Sequence, residues 1–135
     1  SEKPVPPEQS SYFEHYIRFG WTNNNINVEE VDLVGHSWFF RREWLSSYWR
    51  ELPHPRFKTC GEDMHFSIML QKHLGLKTYV PPHPPNDKDL WGSIKGAEYG
   101  SEHSLWETGP SNQKQLMHEY FHEQRKKGWR LVNEK

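Results

Sequence analysis

The sequence predicts a mixed α/β domain, on three observations. A strongly apolar stretch, residues 62–74, is long enough for a buried helix and is stopped by Gly75. Two short β-type runs flank it, one opening at residues 30–34 with Val31, Leu33 and Val34, the other at residues 76–80. A second helical pattern, residues 112–127, follows a Gly-rich stretch near the end of the chain.

Taken in order, residues 1–11 (SEKPVPPEQSS) are Pro-rich and polar and read as a flexible lead-in. Residues 12–135 form one domain, since a chain of 135 residues holds one modest core and hardly two. Residues 12–21 carry Tyr12, Phe13, Tyr16, Ile17, Phe19 and Trp21 and read either as a short helix or as an irregular aromatic segment; residues 22–27 are an Asn-rich turn. The run 30–40 begins as a strand, passes Gly35, and ends in the aromatic cluster Trp38-Phe39-Phe40. A glycine inside a strand pattern predicts a bulge or a close backbone approach. Residues 41–50 read as a helix with an apolar stripe of Trp44, Leu45, Tyr48 and Trp49, ended by Pro53 and Pro55. After the buried helix, the strand at 76–80 is stopped by Pro81-Pro82-His83-Pro84-Pro85; residues 87–108 are irregular, and residues 128–132 form a last strand or a docked tail.

Composition narrows the function. Net charge is −1 from 17 basic and 18 acidic residues, so no basic excess points to nucleic acid. Hydrophobic content is low at 33%, whereas aromatics reach 15%, with seven Trp, seven Phe and six Tyr. Aromatic rings bury much area with few residues, and they also stack on the apolar C–H faces of sugars, so the composition suits a wet, aromatic-lined cleft. The single Cys60 rules out an internal disulfide. No run of 18 apolar residues is present to span a membrane. The chain begins with Ser1 rather than Met, so we expect a piece of a longer protein and give no weight to missing targeting signals.

The chemistry centres on Gly61-Glu62-Asp63-Met64-His65-Phe66-Ser67. Glu62 and Asp63 fall in the first turn of the buried helix, where unpaired backbone N–H groups and the helix dipole favour an ionised carboxylate in a fixed position. A base, a charge stabiliser or an anchor for a substrate hydroxyl needs that property; acidic residues in a first turn are also ordinary helix punctuation. Together with Val31-Asp32-Leu33-Val34-Gly35-His36-Ser37-Trp38-Phe39-Phe40, this motif resembles the acceptor-side half of GT-A-fold glycosyltransferases of the exostosin-like and family-2-like kinds, over about residues 30–91.

The resemblance implies a partial GT-A-like mixed sheet with flanking helices, incomplete without an N-terminal nucleotide-binding half. It implies Asp63 first and Glu62 second as catalytic carboxylates, with His36, Trp38 and Trp91 lining the acceptor cleft. The expected partners are a nucleotide-sugar donor and a glycan or other hydroxyl acceptor. The expected cofactor is a divalent ion, Mn²⁺ or Mg²⁺, held mostly by residues outside this chain, with His103 as the best-placed ligand within it. A secretory-pathway lumen or a membrane-associated polysaccharide system is the implied location. Asp87-Lys88-Asp89 has the letters of a metal-binding Asp-x-Asp but follows the acidic helix instead of preceding it, and reads as a solvated turn.

Two other classes compete. His118-Glu119-Tyr120-Phe121-His122 matches H-E-x-x-H, which on a helix would present two imidazoles to zinc with Glu119 as base. The charged QRKKGW that follows, and the absence of a usual downstream ligand, favour instead an amphipathic closing helix with Leu116, Tyr120 and Phe121 facing the core. A non-catalytic carbohydrate-binding module would also use the aromatic content, with no need of an acidic pair.

Overall fold

Helix α1 (Glu62–Leu74) organises the molecule. Seven consecutive residues, Met64 to Leu70, are buried, which requires neighbours on nearly every side. Its sequence contains no Gly or Pro, places Glu62 and Asp63 in the first turn and Lys72 and His73 in the last, and so agrees with the dipole at both ends. Gly75 terminates it in the left-handed region at φ 63°, its N–H returning to the Gln71 carbonyl. The computed structural model describes residues 16–35, 37–57, 61–92, 109 and 111–134.

One side of α1 meets helix α2 (Gln113–Lys126) and the tail beyond it. Met64, Ile68 and Met69 pack there with Phe57, Tyr120, Phe121, Trp129 and Leu131 to form the core, with Leu33, Leu116 and Met117 at its margin. The tail docks as an irregular segment with a short 3₁₀ turn, Val132–Glu134, not as a strand. The Gln71 side chain pairs with both backbone groups of Arg130, donating to its carbonyl at 2.9 Å and accepting its N–H at 3.1 Å. Asp32 accepts the Val132 N–H at 2.7 Å across 100 residues of sequence, and Arg125 forks onto Glu134.

The other side of α1 carries a 3₁₀ helix, Arg42–Trp49, where residue spacing predicted an α-helical stripe. Ser46 and Ser47 hydroxyls donate to the carbonyls three residues back, at 3.0 and 2.7 Å, competing with the α-helical ladder. At three residues per turn, Trp44 and Ser47 share an azimuth and Trp49 turns away from it. Ser47 is buried, Trp44 and Tyr48 are half-buried, and Leu45 and Trp49 are exposed at 44% and 65%. Glu51 fastens the end of this segment to α1 through Lys72 and His73, both at 2.7 Å.

Among the described residues the sheet is two-stranded and antiparallel, β1 (Glu29–Val31) with β2 (Thr78–Val80), in the register Glu29↔Val80, Glu30↔Tyr79, Val31↔Thr78. Both strands are shorter than the apolar runs suggested. β1 stops where Asp32 turns to the tail and Leu33 enters the core margin. β2 starts late because the Leu76 N–H is taken by the Leu70 carbonyl at the end of α1. Beyond the prolines, His83 pairs with Asn25 through both backbones and at 2.8 Å between side chains. Asn25, buried, spends its amide on the Asn27 and Pro81 carbonyls. Asp87 caps the turn Lys88–Leu90 by accepting the Asp89 N–H at 3.1 Å, the expected solvated turn. Among the described residues no helix is long and apolar enough to cross a membrane.

Candidate functional site at the N-terminus of α1

The chain enters α1 through Gly61 at φ 74°, a left-handed residue that turns the backbone sharply into the first helical turn. Asp63 is half-buried, and its Oδ1 accepts the Met64 N–H at 2.7 Å. Its Oδ2 faces Gly35, where an added Cβ would stand 3.5 Å from that oxygen, an ordinary van der Waals contact. Gly35 is exposed and lies beyond the end of β1, and this contact is an ordinary one, so the position does not demand a glycine for close approach. Glu62, next door, is exposed.

Aromatic rings surround this turn. Phe66, one turn into α1, is buried against Trp38 at 5.2 Å and edge-on against Phe40 at 5.0 Å. The Trp38 indole N–H donates to the Val34 carbonyl at 2.5 Å, which orients the ring. Tyr48 reaches over from the 3₁₀ helix, 4.7 Å from His65 and 6.2 Å from Phe66. Burial first, then the charges of Glu62 and Asp63, hold the Tyr48 phenol above its ordinary value of 10.0.

His65 supports the whole arrangement. It is 2% exposed, with Nε2 2.9 Å from the Tyr48 carbonyl and Nδ1 2.5 Å from the Tyr120 hydroxyl. A carbonyl only accepts, so Nε2 carries the proton and the Tyr120 O–H donates to Nδ1. Burial pushes the imidazole below its ordinary value of 6.5. The buried neutral ring links α1, α2 and the 3₁₀ helix.

Of the residues singled out from sequence, Asp63, Glu62 and Trp38 come together around the first turns of α1. His36 and His103 lie outside the described residues. Trp91 joins the Asn25–His83 unit: it is 2% exposed, donates to the Pro84 carbonyl at 2.9 Å, and lies under the Lys88 ammonium, 3.2 Å from the ring centre. It has no ring face to offer a sugar. Tyr48, His65 and Tyr120 were not singled out as site residues; the one available signal was a histidine inside a run otherwise built for burial.

His118 and His122 do share a face of α2, with ring centres 4.4 Å apart. Glu119, however, is turned to Arg56 at 3.4 Å and accepts from Gln115 at 3.1 Å. Among the described residues no group of three or more His, Cys, Asp or Glu side chains is placed to hold a metal ion. Two small cavities, of about 10 and 90 Å³, both lie against Gln71 and are lined by neither Glu62 nor Asp63. The acidic turn is therefore not part of either cavity. No family model, no curated protein and no solved structure matches the chain.

Proposed function

We propose that this chain is the acceptor-side portion of a glycosyltransferase that moves a sugar from a nucleotide-sugar donor to a hydroxyl acceptor. The observation that carries the reading is Asp63, a carboxylate pinned by a first-turn N–H at 2.7 Å and facing a glycine, one helical turn before Phe66, whose ring packs against those of Trp38 and Tyr48. Glycosyl transfer draws a proton from the acceptor hydroxyl and builds positive charge on the migrating sugar. A fixed anion serves either need, as base or as charge stabiliser. Asp63 takes that role in this reading and Glu62 supports it, while Trp38 borders the acceptor. The donor and its divalent ion, Mn²⁺ or Mg²⁺, would be held by a nucleotide-binding half outside this chain. The described residues gather no ligand set of their own for that ion.

The test is Asp63→Asn in the complete gene product, assayed against a panel of nucleotide sugars and saccharide acceptors. Turnover should fall by about a hundredfold or more, with the thermal midpoint unchanged. Near-normal turnover by this variant removes the assignment. Glycan binding that needs no donor and ignores the Asp63 charge would identify a binding module instead.

A further inference from the structure

We propose that His118 and His122 form a two-imidazole site for a divalent transition ion of tetragonal preference, copper(II) above all; the proposal is independent of the transferase reading. Both residues lie in the body of a 14-residue helix, α2. Four positions apart, they rise from one face, one turn from each other. Their ring centres are 4.4 Å apart and the ring planes meet at 74°. Both side chains are half-buried, and the His122 ring stands edge-on to the buried Phe121 at 5.1 Å. The helix fixes the backbone and these contacts restrict the rings, so little freedom is lost when one ion joins them.

The ring separation selects the ion. With metal–nitrogen bonds of about 2.0–2.1 Å, two imidazoles bound at about 90° to each other have ring centres about 4.5 Å apart, whereas at the tetrahedral angle of a zinc site they stand about 5.2 Å apart. The observed 4.4 Å matches the right angle. Neighbouring nitrogen ligands at a right angle suit copper(II) and nickel(II), and copper binds the tighter of the two. Hard ions such as Mg²⁺ and Ca²⁺ prefer oxygen ligands and are not held by an imidazole pair. The central acid of H-E-x-x-H does not take part. Glu119 lies 3.4 Å from Arg56 and accepts from Gln115 at 3.1 Å, so the pair holds an ion without the base that hydrolysis by this motif requires. Among the described residues no third His, Cys, Asp or Glu joins the pair, and water fills the remaining positions.

The test is a copper(II) titration of the 135-residue chain, read by equilibrium dialysis and electron paramagnetic resonance. The first equivalent should give a tetragonal spectrum with hyperfine coupling to two imidazole nitrogens. His118→Gln and His122→Gln should each weaken that binding about tenfold or more, because the second arm closes as an intramolecular step, and each should leave coupling to one imidazole. Glu119→Gln should keep the two-nitrogen spectrum. Coupling to a single imidazole in the wild type, or two-nitrogen coupling that persists in both histidine variants, overturns the site. A second measurement needs no variant. Copper added well below one equivalent should broaden the His118 and His122 ring proton signals before those of the other histidines, and broadening that begins elsewhere overturns the site equally.

Discussion

His65 shows how much one side chain carries here. With both ring nitrogens engaged and almost no exposure, it is satisfied only as a neutral imidazole. Protonation would place a hydrogen on Nδ1 and force the Tyr120 hydroxyl to reverse its donation. The unfolded chain takes up that proton near 6.5, the folded chain only at lower pH. Stability is therefore complete above 6.5 and declines as pH falls toward the depressed folded value. The carboxyl of Glu51, held below its ordinary 4.5 chiefly by the Lys72 hydrogen bond, adds a loss of the same sign further down the scale. Urea midpoints at about pH 7.5 and about pH 5.5 should differ in the wild type, and the difference should shrink in His65→Gln. That variant should also lose about 1–3 kcal/mol at the higher pH, because Tyr120 and the Tyr48 carbonyl lose their shared partner. A flat wild-type response across this interval would contradict the assignment of His65 as a buried neutral pin. None of this was legible from sequence: the partners lie 17 and 55 residues away, and no local pattern joins them. The carboxylates were legible, because an acidic pair before an apolar run is a local signature.

At the scale of elements, the long periodic segments were readable and the short ones were not. α1 and α2 fall within a residue of their sequence bounds, since each is long, free of Gly and Pro, and stopped by a glycine close after it. The strands shrank to three residues each because pairing ends wherever a partner is diverted, and the diverting partners, Val132 and Leu70, are not visible in the run itself. The segment Arg42–Trp49 tightened to 3₁₀ through serine hydroxyls that apolar periodicity ignores. The end of α1 offers a sharp test. Gly75 sits at φ 63°, and an added Cβ meets nothing within 4 Å, so substitution costs backbone strain alone. Gly75→Ala should lose about 1 kcal/mol, and Gly75→Asn less, because asparagine tolerates the left-handed region. Equal midpoints for glycine and alanine would mean that the helix end relaxes instead of holding this geometry.

For the molecule as a whole, closure depends on the last few residues. α1 and α2 alone would leave Ile68 and Phe121 short of neighbours; Trp129 and Leu131 fill that space, Trp129 meeting Phe121 edge-on at 5.5 Å. The tail is thus a core element delivered by an irregular segment, positioned by polar contacts from α1 and α2. The Gln71 amide clasps Arg130 only through backbone atoms, so the arginine side chain is dispensable to the clasp. Three variants separate these contributions. Trp129→Ala should cost about 3–5 kcal/mol, a large share of the roughly 5–15 kcal/mol that holds a domain together. Gln71→Ala, which loses two hydrogen bonds, should cost about 1–3 kcal/mol. Arg130→Ala, at an exposed position, should stay within about 0.5 kcal/mol of wild type. Denaturant midpoints measured together give the order. If Arg130→Ala matched Gln71→Ala, the clasp would be working through the guanidinium. If Trp129→Ala were mild, the tail would be an appendage and the two helices would already close the core without it. The stated order would instead mean that the tail is part of the core on which α1 packs, so the helix that carries the acidic turn is held in the fold by residues far from it in sequence.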